Sequence, residues 1–447
     1  MFKRIPLLFR QIAYNLRGGF LVRPLIITLA LGGLGAFLSS MEELFPHSSD
    51  FVPKLLFPSH NDPQVAQVIL AGIAASIMTV VSIVFAILLM TLTLASMQFS
   101  PRIIVSFSRD RVTQWTLGIF LGTFSFCMAA LPAARSSPHP FSPVATVMVA
   151  MLLALACVGW LLFFIHHISR AISVNHIVDR IASETEAIIE ETMPWPHRPD
   201  RDPWQDDPRR GYTWETTLAS PVSGYIRFLD TRRLVTLAKS YGIKIDVLRR
   251  VGHFVPAGVP LLKLAKGDRL PPEGAEELLG AFDLGPTRTL QQDVEFGVLQ
   301  IVDIALKAIS PAVNDPTTAI GSVDQLCRIL IRFASRETPE SFLYDPPGLF
   351  RVHIPWIDFE RLLDSAFEQI RLYSRGDVAV SLRLLRALAD IAVTTLDAHF
   401  RQILMERVHR IVEGCSTTLR DKELKPLRAR AAAIEELSVP LPKRGAN

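Results

Sequence analysis

Charged residues are nearly absent from four stretches of this 447-residue chain. The stretches are Pro24–Ser40, Val65–Met97, Val112–Leu131 and Val144–Ile165. An apolar helix of about 17–25 residues crosses the hydrocarbon core of a bilayer, which is roughly 30 Å thick. The lack of charge therefore excludes a wholly water-soluble protein and predicts four transmembrane helices. The second would be about 50 Å long, so it must tilt strongly or project from the bilayer.

No Asp, Glu, Lys or Arg lies near the middle of any of these spans. A proton relay, a voltage sensor or a charge-coupled transporter depends on such residues inside the membrane. Their absence argues against those three functions.

Cysteine is scarce as well, with four residues in the chain. Cys127 and Cys157 lie within apolar stretches, whereas Cys327 and Cys415 lie on helical patterns. None lies in a loop that would face an oxidising compartment, so we expect four free, mostly buried thiols.

The sequence lacks the local motifs of common catalytic sites, namely a P-loop, GxSxG, HExxH and the Rossmann fingerprint. The histidines beyond the spans show no metal-ligand spacing; they include His253, His353, His399 and His409. We therefore predict no metal site and no catalytic residue, and the sequence does not support an enzymatic activity.

The charges that flank the spans predict the orientation of the chain. The arm before the first span carries five basic residues, Lys3, Arg4, Arg10, Arg17 and Arg23. Glu42, Glu43, Asp50 and Asp62 dominate the next loop, and basic residues return after the second and fourth spans. No cleavage site follows the first span, so it should remain in place. We predict a multi-pass protein of the bacterial inner (plasma) membrane with both termini in the cytosol, and no nucleic-acid partner.

Small and hydroxyl side chains form a stripe along the second span. At a 4-3-4-3 spacing it contains Ala75, Thr79, Ser82, Ala86, Leu89 and Thr93. That spacing keeps all six on one side of a helix. Small and hydroxyl side chains make few favourable contacts with lipid acyl chains. The stripe therefore fits either a seam of closely packed helices or the lining of a pore. Two further pairs of small residues predict close helix contacts, Gly118 with Gly122 and Gly32 with Ala36.

The remainder of the chain is charged like a soluble domain. Ile177–Thr192 should continue as a helix from the fourth span, followed by a Pro- and Trp-rich linker, Met193–Tyr212. Leu218–Leu264 resembles the barrel-sandwich hybrid fold of lipoyl and biotinyl domains, with Gly224, Gly252 and Gly258 at tight turns. Lys239 and Lys244 lack the context of a modified lysine, so we predict no lipoate, no biotin and no other cofactor.

Helical periodicity dominates the last third of the chain. The predicted helices are Gln292–Ile309, a helix from Pro316 to about Phe333, Ile357–Tyr373, Val378–Val412 and Leu424–Leu437, with a loop at Ala334–Pro355. Asp315 suits an N-cap, and Pro316 suits the first helical position. We therefore divide the chain into residues 1–170, a four-helix transmembrane domain; 171–212, a connecting helix and linker; 213–285, a small β barrel-sandwich-like segment; and 286–447, a helical cytosolic domain.

Three motifs carry a resemblance to a known family. They are Met97-Gln-Phe-Ser-Pro-Arg102, Gln292-Asp-Val-Glu-Phe-Gly297 and Asp303-Ile-Ala-Leu-Lys-Ala-Ile-Ser-Pro-Ala-Val-Asn-Asp-Pro-Thr-Thr318. In these motifs the chain resembles the bacterial predicted membrane proteins grouped as domain of unknown function 2254. The resemblance covers nearly the whole chain and implies a membrane protein, but it carries no assigned activity.

The last two motifs contain most of a cluster of polar residues, Asp293, Asp303, Asn314, Asp315 and Asp324. One interpretation is a site for acid–base chemistry or a hard cation. The other gives each residue a local role: Asp315 caps a helix, Asp303 pairs with Lys307, and Asp293 complements the dipole of a helix.

These observations lead to two main hypotheses. The first is a homo-oligomeric channel or pore-like protein for ions or small solutes, with a cytosolic vestibule or sensor domain. The second is a membrane-anchored scaffold or signalling protein that binds a cytosolic partner. A membrane enzyme is a third and weaker hypothesis.

Overall fold

The computed structural model describes residues 22–45, 62–98, 111–137, 140–171, 173–194, 207–346, 348–395 and 397–438. The basic arm through residue 21, the loop 46–61, residues 99–102 of the first motif and residues 195–206 of the predicted linker lie outside this part of the chain. The chain divides into two compact units, Met1–Ser173 and Val174–Asn447.

Four long apolar helices form the described part of the first unit. They are α1 (Val22–Leu44), α2 (Pro63–Gln98), α3 (Arg111–Ala130) and α4 (Val144–Ala171). All four are long and apolar enough to cross a membrane, which confirms the predicted membrane helices. The 36 residues of α2 extend over about 54 Å. Helix α1 continues past the predicted end at Ser40, so Glu42 lies in a helix rather than in a loop.

Glycines allow α1 and α3 to pack closely. A methyl group on Gly118 would lie 2.7 Å from Ile27 Cδ1, and one on Gly35 would lie 2.6 Å from the carbonyl oxygen of Phe126. The contact predicted at Gly118 is therefore made between two helices of the same chain. On α1 the predicted pair is partly wrong, because Gly35 is buried whereas Ala36 is exposed.

The described part of the second unit contains two separate sheets. Their strands are β1 (Thr216–Ala219), β2 (Gly224–Leu229), β3 (Lys244–Val247), β4 (Phe254–Val255), β5 (Pro260–Ala265), β6 (Phe282–Gly285), β7 (Phe342–Asp345) and β8 (Leu349–His353). The larger sheet has the order β1-β5-β3-β8-β7, and the smaller has the order β4-β2-β6. Every pair is antiparallel except β3 with β8.

The described strands do not close into a barrel, so the predicted barrel-sandwich detail is not confirmed. Strands β7 and β8 come from the segment predicted to be a loop, Ala334–Pro355, and β8 joins the sheet by pairing Val352 with Ile245 of β3. A helix, α6 (Thr231–Tyr241), interrupts the predicted β segment. Gly252 and Gly258 do have the positive φ of turns, but Gly224 begins β2 instead.

Nine α-helices lie in the described part of the second unit. Besides α6 they are α5 (Val174–Thr192), α7 (Pro272–Leu279), α8 (Val294–Ala308), α9 (Pro316–Ala334), α10 (Phe359–Tyr373), α11 (Val378–Thr394), α12 (Ala398–Ser416) and α13 (Asp421–Ser438). Helix α5 begins anew after the end of α4, and the helix predicted for Val378–Val412 is two helices. The extended backbone of Thr395 ends the first, and the side chain of Asp397 caps the second. Periodicity continued across this break because both helices bury apolar residues at the same spacing.

Candidate functional site

Helix α2 has two opposite faces. Its packed face meets α3 and α4 through buried residues that include Ala66, Leu70, Ala74, Ile77, Val81 and Val84. The six stripe residues Ala75, Thr79, Ser82, Ala86, Leu89 and Thr93 are all exposed in the single chain. At about 100° per residue the centre of the stripe lies roughly 145° from the centre of the packed face. Among the described helices of one chain, the stripe therefore does not form a packing seam.

The hydroxyl groups of the stripe donate hydrogen bonds to their own helix. Thr79 donates to the carbonyl of Ala75 at 3.1 Å, and Ser82 to that of Met78 at 3.0 Å. Thr93 donates to the carbonyl of Leu89 at 2.8 Å. Such bonds satisfy each hydroxyl hydrogen without a partner outside the helix. The stripe therefore presents small side chains and hydroxyl oxygens whose remaining lone pairs are free to accept.

In the second unit, Asp293 is buried at the start of α8. Its side chain accepts a hydrogen bond from the backbone N–H of Phe296 at 3.0 Å and caps the helix. Arg288 donates to both of its carboxylate oxygens, from Nε at 2.7 Å and from a terminal nitrogen at 2.8 Å. Both charges of this pair are thus compensated.

Glu295, two residues further along the chain, is surrounded by hydrogen-bond donors. A terminal nitrogen of Arg250 lies 3.0 Å from both carboxylate oxygens, one of Arg288 lies at 3.1 Å, and Ser365 donates at 3.1 Å. Burial alone would raise the pKa of Glu295, but the two guanidinium groups hold it below its usual value. Glu295 is therefore an ionised carboxylate at the centre of a charge network, which is a poor general base.

The ends of the same motif contact other elements. Gln292 exchanges two hydrogen bonds with the backbone of Leu229 in β2, at 2.9 and 3.3 Å. At Gly297 a methyl group would lie 2.0 Å from Thr185 Oγ1 of α5, so only glycine fits this helix crossing. A cavity of about 30 Å³ beside Arg250 and Asp293 has room for about one water molecule. Through these contacts Gln292–Gly297 joins the start of α8 to β2 of the smaller sheet and to α5.

The other predicted cluster residues lie elsewhere. Asp315 caps α9 by accepting from the backbone N–H of Thr318 at 3.1 Å, which confirms the predicted cap. It follows the far end of α8, whose 15 residues extend over about 22 Å from Asp293. Asp324 is paired with Arg383, and Asn314 forms the turn before Asp315 with a φ of 50°.

Sequence reasoning missed a second group of titratable side chains. His353 Nδ1 lies 2.6 Å from Asp246 Oδ1 where β8 runs parallel to β3. Arg209 lies 3.5 Å from the same carboxylate and pairs with Asp207 at 2.7 Å. The hydrogen bond from Arg209 lowers the pKa of Asp207 to about 2. No local signal marks this group, because 107 residues separate His353 from Asp246.

No set of three or more His, Cys, Asp or Glu side chains in the described part of the chain has the arrangement of a metal site. All four cysteines are free and buried, as predicted. Burial raises the pKa of the Cys327 thiol to about 12, which makes it a poor nucleophile.

Comparison with known proteins places these features in a family. The family model of predicted membrane proteins called DUF2254 matches residues 17–390. An uncharacterized protein of Mycobacterium bovis is 30% identical over 416 residues, which are 91% of this chain and 78% of the relative. An uncharacterized protein of Mycobacterium tuberculosis has the same identity and coverage. No solved structure matches the chain.

Proposed function

We propose that this chain, which belongs to the predicted membrane protein family DUF2254, forms a homo-oligomeric pore for ions or small solutes in the bacterial inner membrane. In this assembly the α2 helices of several copies surround a central axis, and their stripes face it. The observation that carries the proposal is the position of the stripe, which is exposed and opposite the face that α2 uses to pack within its own chain.

A second copy would use the stripe better than lipid does. Acyl chains gain little from Ala, Ser and Thr, whereas small side chains allow helices of neighbouring copies to approach closely. The hydroxyl oxygens of Thr79, Ser82 and Thr93 keep a lone pair that water on the axis can use. Two neighbouring residues, Ile83 and Phe85, are large, apolar and exposed, and suit the lipid on either side.

The selectivity of such a pore would depend on size and wetting rather than on charge. The six stripe residues carry no charge, so the pore has no ring of fixed charges there to select one sign of ion. Leu89 is 55% exposed and is the largest side chain of the stripe. A ring of Leu89 side chains would form an apolar constriction that closes by losing its water. The soluble unit would lie in the cytosol as a vestibule or sensor, with both termini on that side.

Cysteine accessibility tests the proposal. Single cysteines replace residues 75, 79, 82, 86 and 93 in a background without the four native cysteines, and the membranes are treated with a small water-soluble thiol reagent. We expect reaction along the stripe and cross-linking between copies. Ile83→Cys, on the neighbouring lipid face, and Val81→Cys, on the packed face, serve as controls and should stay unreactive. Protection of the whole stripe would overturn the pore.

Conductance provides an independent readout. Leu89→Ser should raise ion leak in reconstituted liposomes because it removes the apolar constriction. Ser82→Leu should reduce the leak because it fills the lumen. If Leu89→Ser changes stability but produces no leak, a dry seam between copies is the better description.

A scaffold or signalling protein is the alternative, and one observation favours it. Tyr225 and Phe254 form a cross-strand aromatic pair at the edge of the smaller sheet, with ring centroids 5.1 Å apart. Phe254 is 51% exposed. Such an edge suits a cytosolic protein partner that adds a strand. This alternative would be supported if the stripe cysteines do not react and if Phe254→Ser abolishes binding of a cytosolic partner.

A further inference from the structure

Helices α1 and α4 are joined by a buried carboxylate at one end of the membrane unit. Glu42 lies in the last turn of α1 and is 3% exposed. It accepts hydrogen bonds from the backbone N–H groups of Ala145 at 2.8 Å and of Thr146 at 3.0 Å, and from the Thr146 hydroxyl at 2.9 Å. The Glu42 side chain therefore caps the N-terminus of α4 from a different helix.

The charge of Glu42 is only partly compensated. The N-terminus of a helix supplies roughly half a positive charge. The nearby Arg135 pairs with Glu43 instead, and within the described residues no cation pairs with Glu42. A buried carboxylate without a counter-charge is unfavourable, so this position favours a cationic group from outside the chain.

A cavity of about 160 Å³ adjoins this carboxylate. Its walls are otherwise mostly apolar and are formed by Leu38, Met41, Phe45, Ala145, Thr146 and Val149. A dry cavity of about 150 Å³ is large enough to hold a benzene molecule. Leu38 and Val149 lie about one helical turn further into the membrane than Glu42 and Ala145. The site is thus polar at its outer end and apolar towards the bilayer.

We propose that this cavity binds one membrane lipid whose head group carries a primary ammonium. The ammonium would lie at Glu42, and the first methylene groups of one acyl chain would fill the space beside Leu38 and Val149. The last turn of one span and the first turn of another lie at the depth of lipid head groups, which makes a lipid the fitting occupant. A lipid with a net negative head group would be repelled by Glu42.

Native mass spectrometry of the purified full-length chain tests this site. The protein is exchanged into detergent with equal amounts of phosphatidylethanolamine and phosphatidylglycerol that carry the same acyl chains. We expect one phosphatidylethanolamine to be retained with about tenfold preference. Glu42→Gln should abolish the preference. Glu43→Gln changes the neighbouring carboxylate, which is exposed and paired with Arg135, and should leave the preference intact.

Because Glu42→Gln also removes part of the cap on α4, a second variant keeps the carboxylate and fills the cavity. Val149→Phe should reduce retention of phosphatidylethanolamine about tenfold while Glu42 still caps the helix. Equal retention of the two lipids, or a preference that survives both Glu42→Gln and Val149→Phe, would overturn the proposal. Retention of neither lipid would also overturn the proposal, because it would indicate that protein and not lipid covers the cavity.

Discussion

Arg250 and Glu295 are 45 residues apart in the chain, yet a terminal nitrogen of Arg250 lies 3.0 Å from both carboxylate oxygens of Glu295. Both residues are buried, at 7% and 8% exposure. This pair fixes the loop that follows β3 against the first turn of α8. Arg288 also pairs with Glu295, from the other side of the carboxylate. This one carboxylate therefore partly neutralises two buried guanidinium groups.

Removal of the Glu295 charge should be strongly destabilising. Glu295→Gln leaves the buried guanidinium of Arg250 without its carboxylate partner, whereas Arg288 keeps Asp293. Breaking a buried pair in this way costs about 3–5 kcal/mol. Thermal unfolding of the full chain in detergent measures the loss. Asp390→Asn is the matched control, because the Arg386–Asp390 pair is more than half exposed on both sides and its loss should cost less than about 1 kcal/mol.

The contribution of Glu295 should also depend on pH. Its pKa is lowered in the folded chain, from the ordinary value of 4.5. The stabilisation is therefore present above pH 4.5 and is lost as the pH falls through the folded-state pKa. The difference in stability between the wild type and Glu295→Gln should narrow in acid, and a constant difference from pH 7 to pH 3 would contradict this.

His253 should make the fold sensitive to mildly acidic conditions. Burial, with Arg250 and Arg361 nearby, lowers its pKa from 6.5 to about 4. As the pH falls, His253 is protonated in the unfolded chain before it is protonated in the folded chain. The stability should therefore fall as the pH decreases from 6.5 towards about 4. His253→Gln should flatten that part of the pH profile.

The crossing of α5 and α8 should not tolerate a larger residue than glycine. Gly297→Ala would place a methyl group 2.0 Å from Thr185 Oγ1, and overpacking of this kind costs about 1–3 kcal/mol. Thr185→Ala removes the clashing atoms, so the double variant should be more stable than the sum of the single effects predicts. The thermal unfolding of the wild type, the two single variants and the double variant measures these effects. If the two single effects simply add in the double variant, the contact is contradicted.

The Asp315 cap should be replaceable by other capping residues. Asp315→Ala should destabilise the chain by about 0.5–2 kcal/mol, whereas Asp315→Asn and Asp315→Ser should retain most of the stability. Thermal unfolding separates these outcomes. If all three variants are equally stable but lose function alike, Asp315 belongs to a binding site instead.

The predicted orientation can be tested with a reporter that is active only outside the cytosol. It should be active when inserted near Ser49, which follows the first span, and inactive when fused after Asn447. Activity at the C-terminus would place the second unit on the other side of the membrane.

The sequence predicts the parts of this molecule that depend on neighbouring residues. Long charge-free stretches mark the four membrane helices, and the order Asp315-Pro316 marks the start of α9, because both signals are local. Pairing between distant segments leaves no such signal. Strand β8 reaches β3 across more than a hundred residues, and its few residues read as a loop on their own. The burial of Glu42 was missed for the same reason, since its partners, Ala145 and Thr146, belong to another helix.

The sequence alone predicts only part of the candidate pore. The spacing of Thr79, Ser82 and Thr93 places them together on one face, but periodicity does not reveal which face of a membrane helix its own chain covers. The roles of Asp293 and Glu295 depend on Arg288 and Arg250, whose approach follows from the packing of the sheets against α8.

The parallel pairing of β3 with β8 imposes an order on biosynthesis. The ribosome must deliver α8 and α9 before β8 emerges, so during translation β3 has β5 on one side and an open edge on the other. Such an unpaired edge is a template for association with other nascent chains, and non-local pairing is slow to form. A chain that terminates after α9 would keep this edge permanently. We expect it to require chaperones or to be degraded even though the four described membrane helices have already been made.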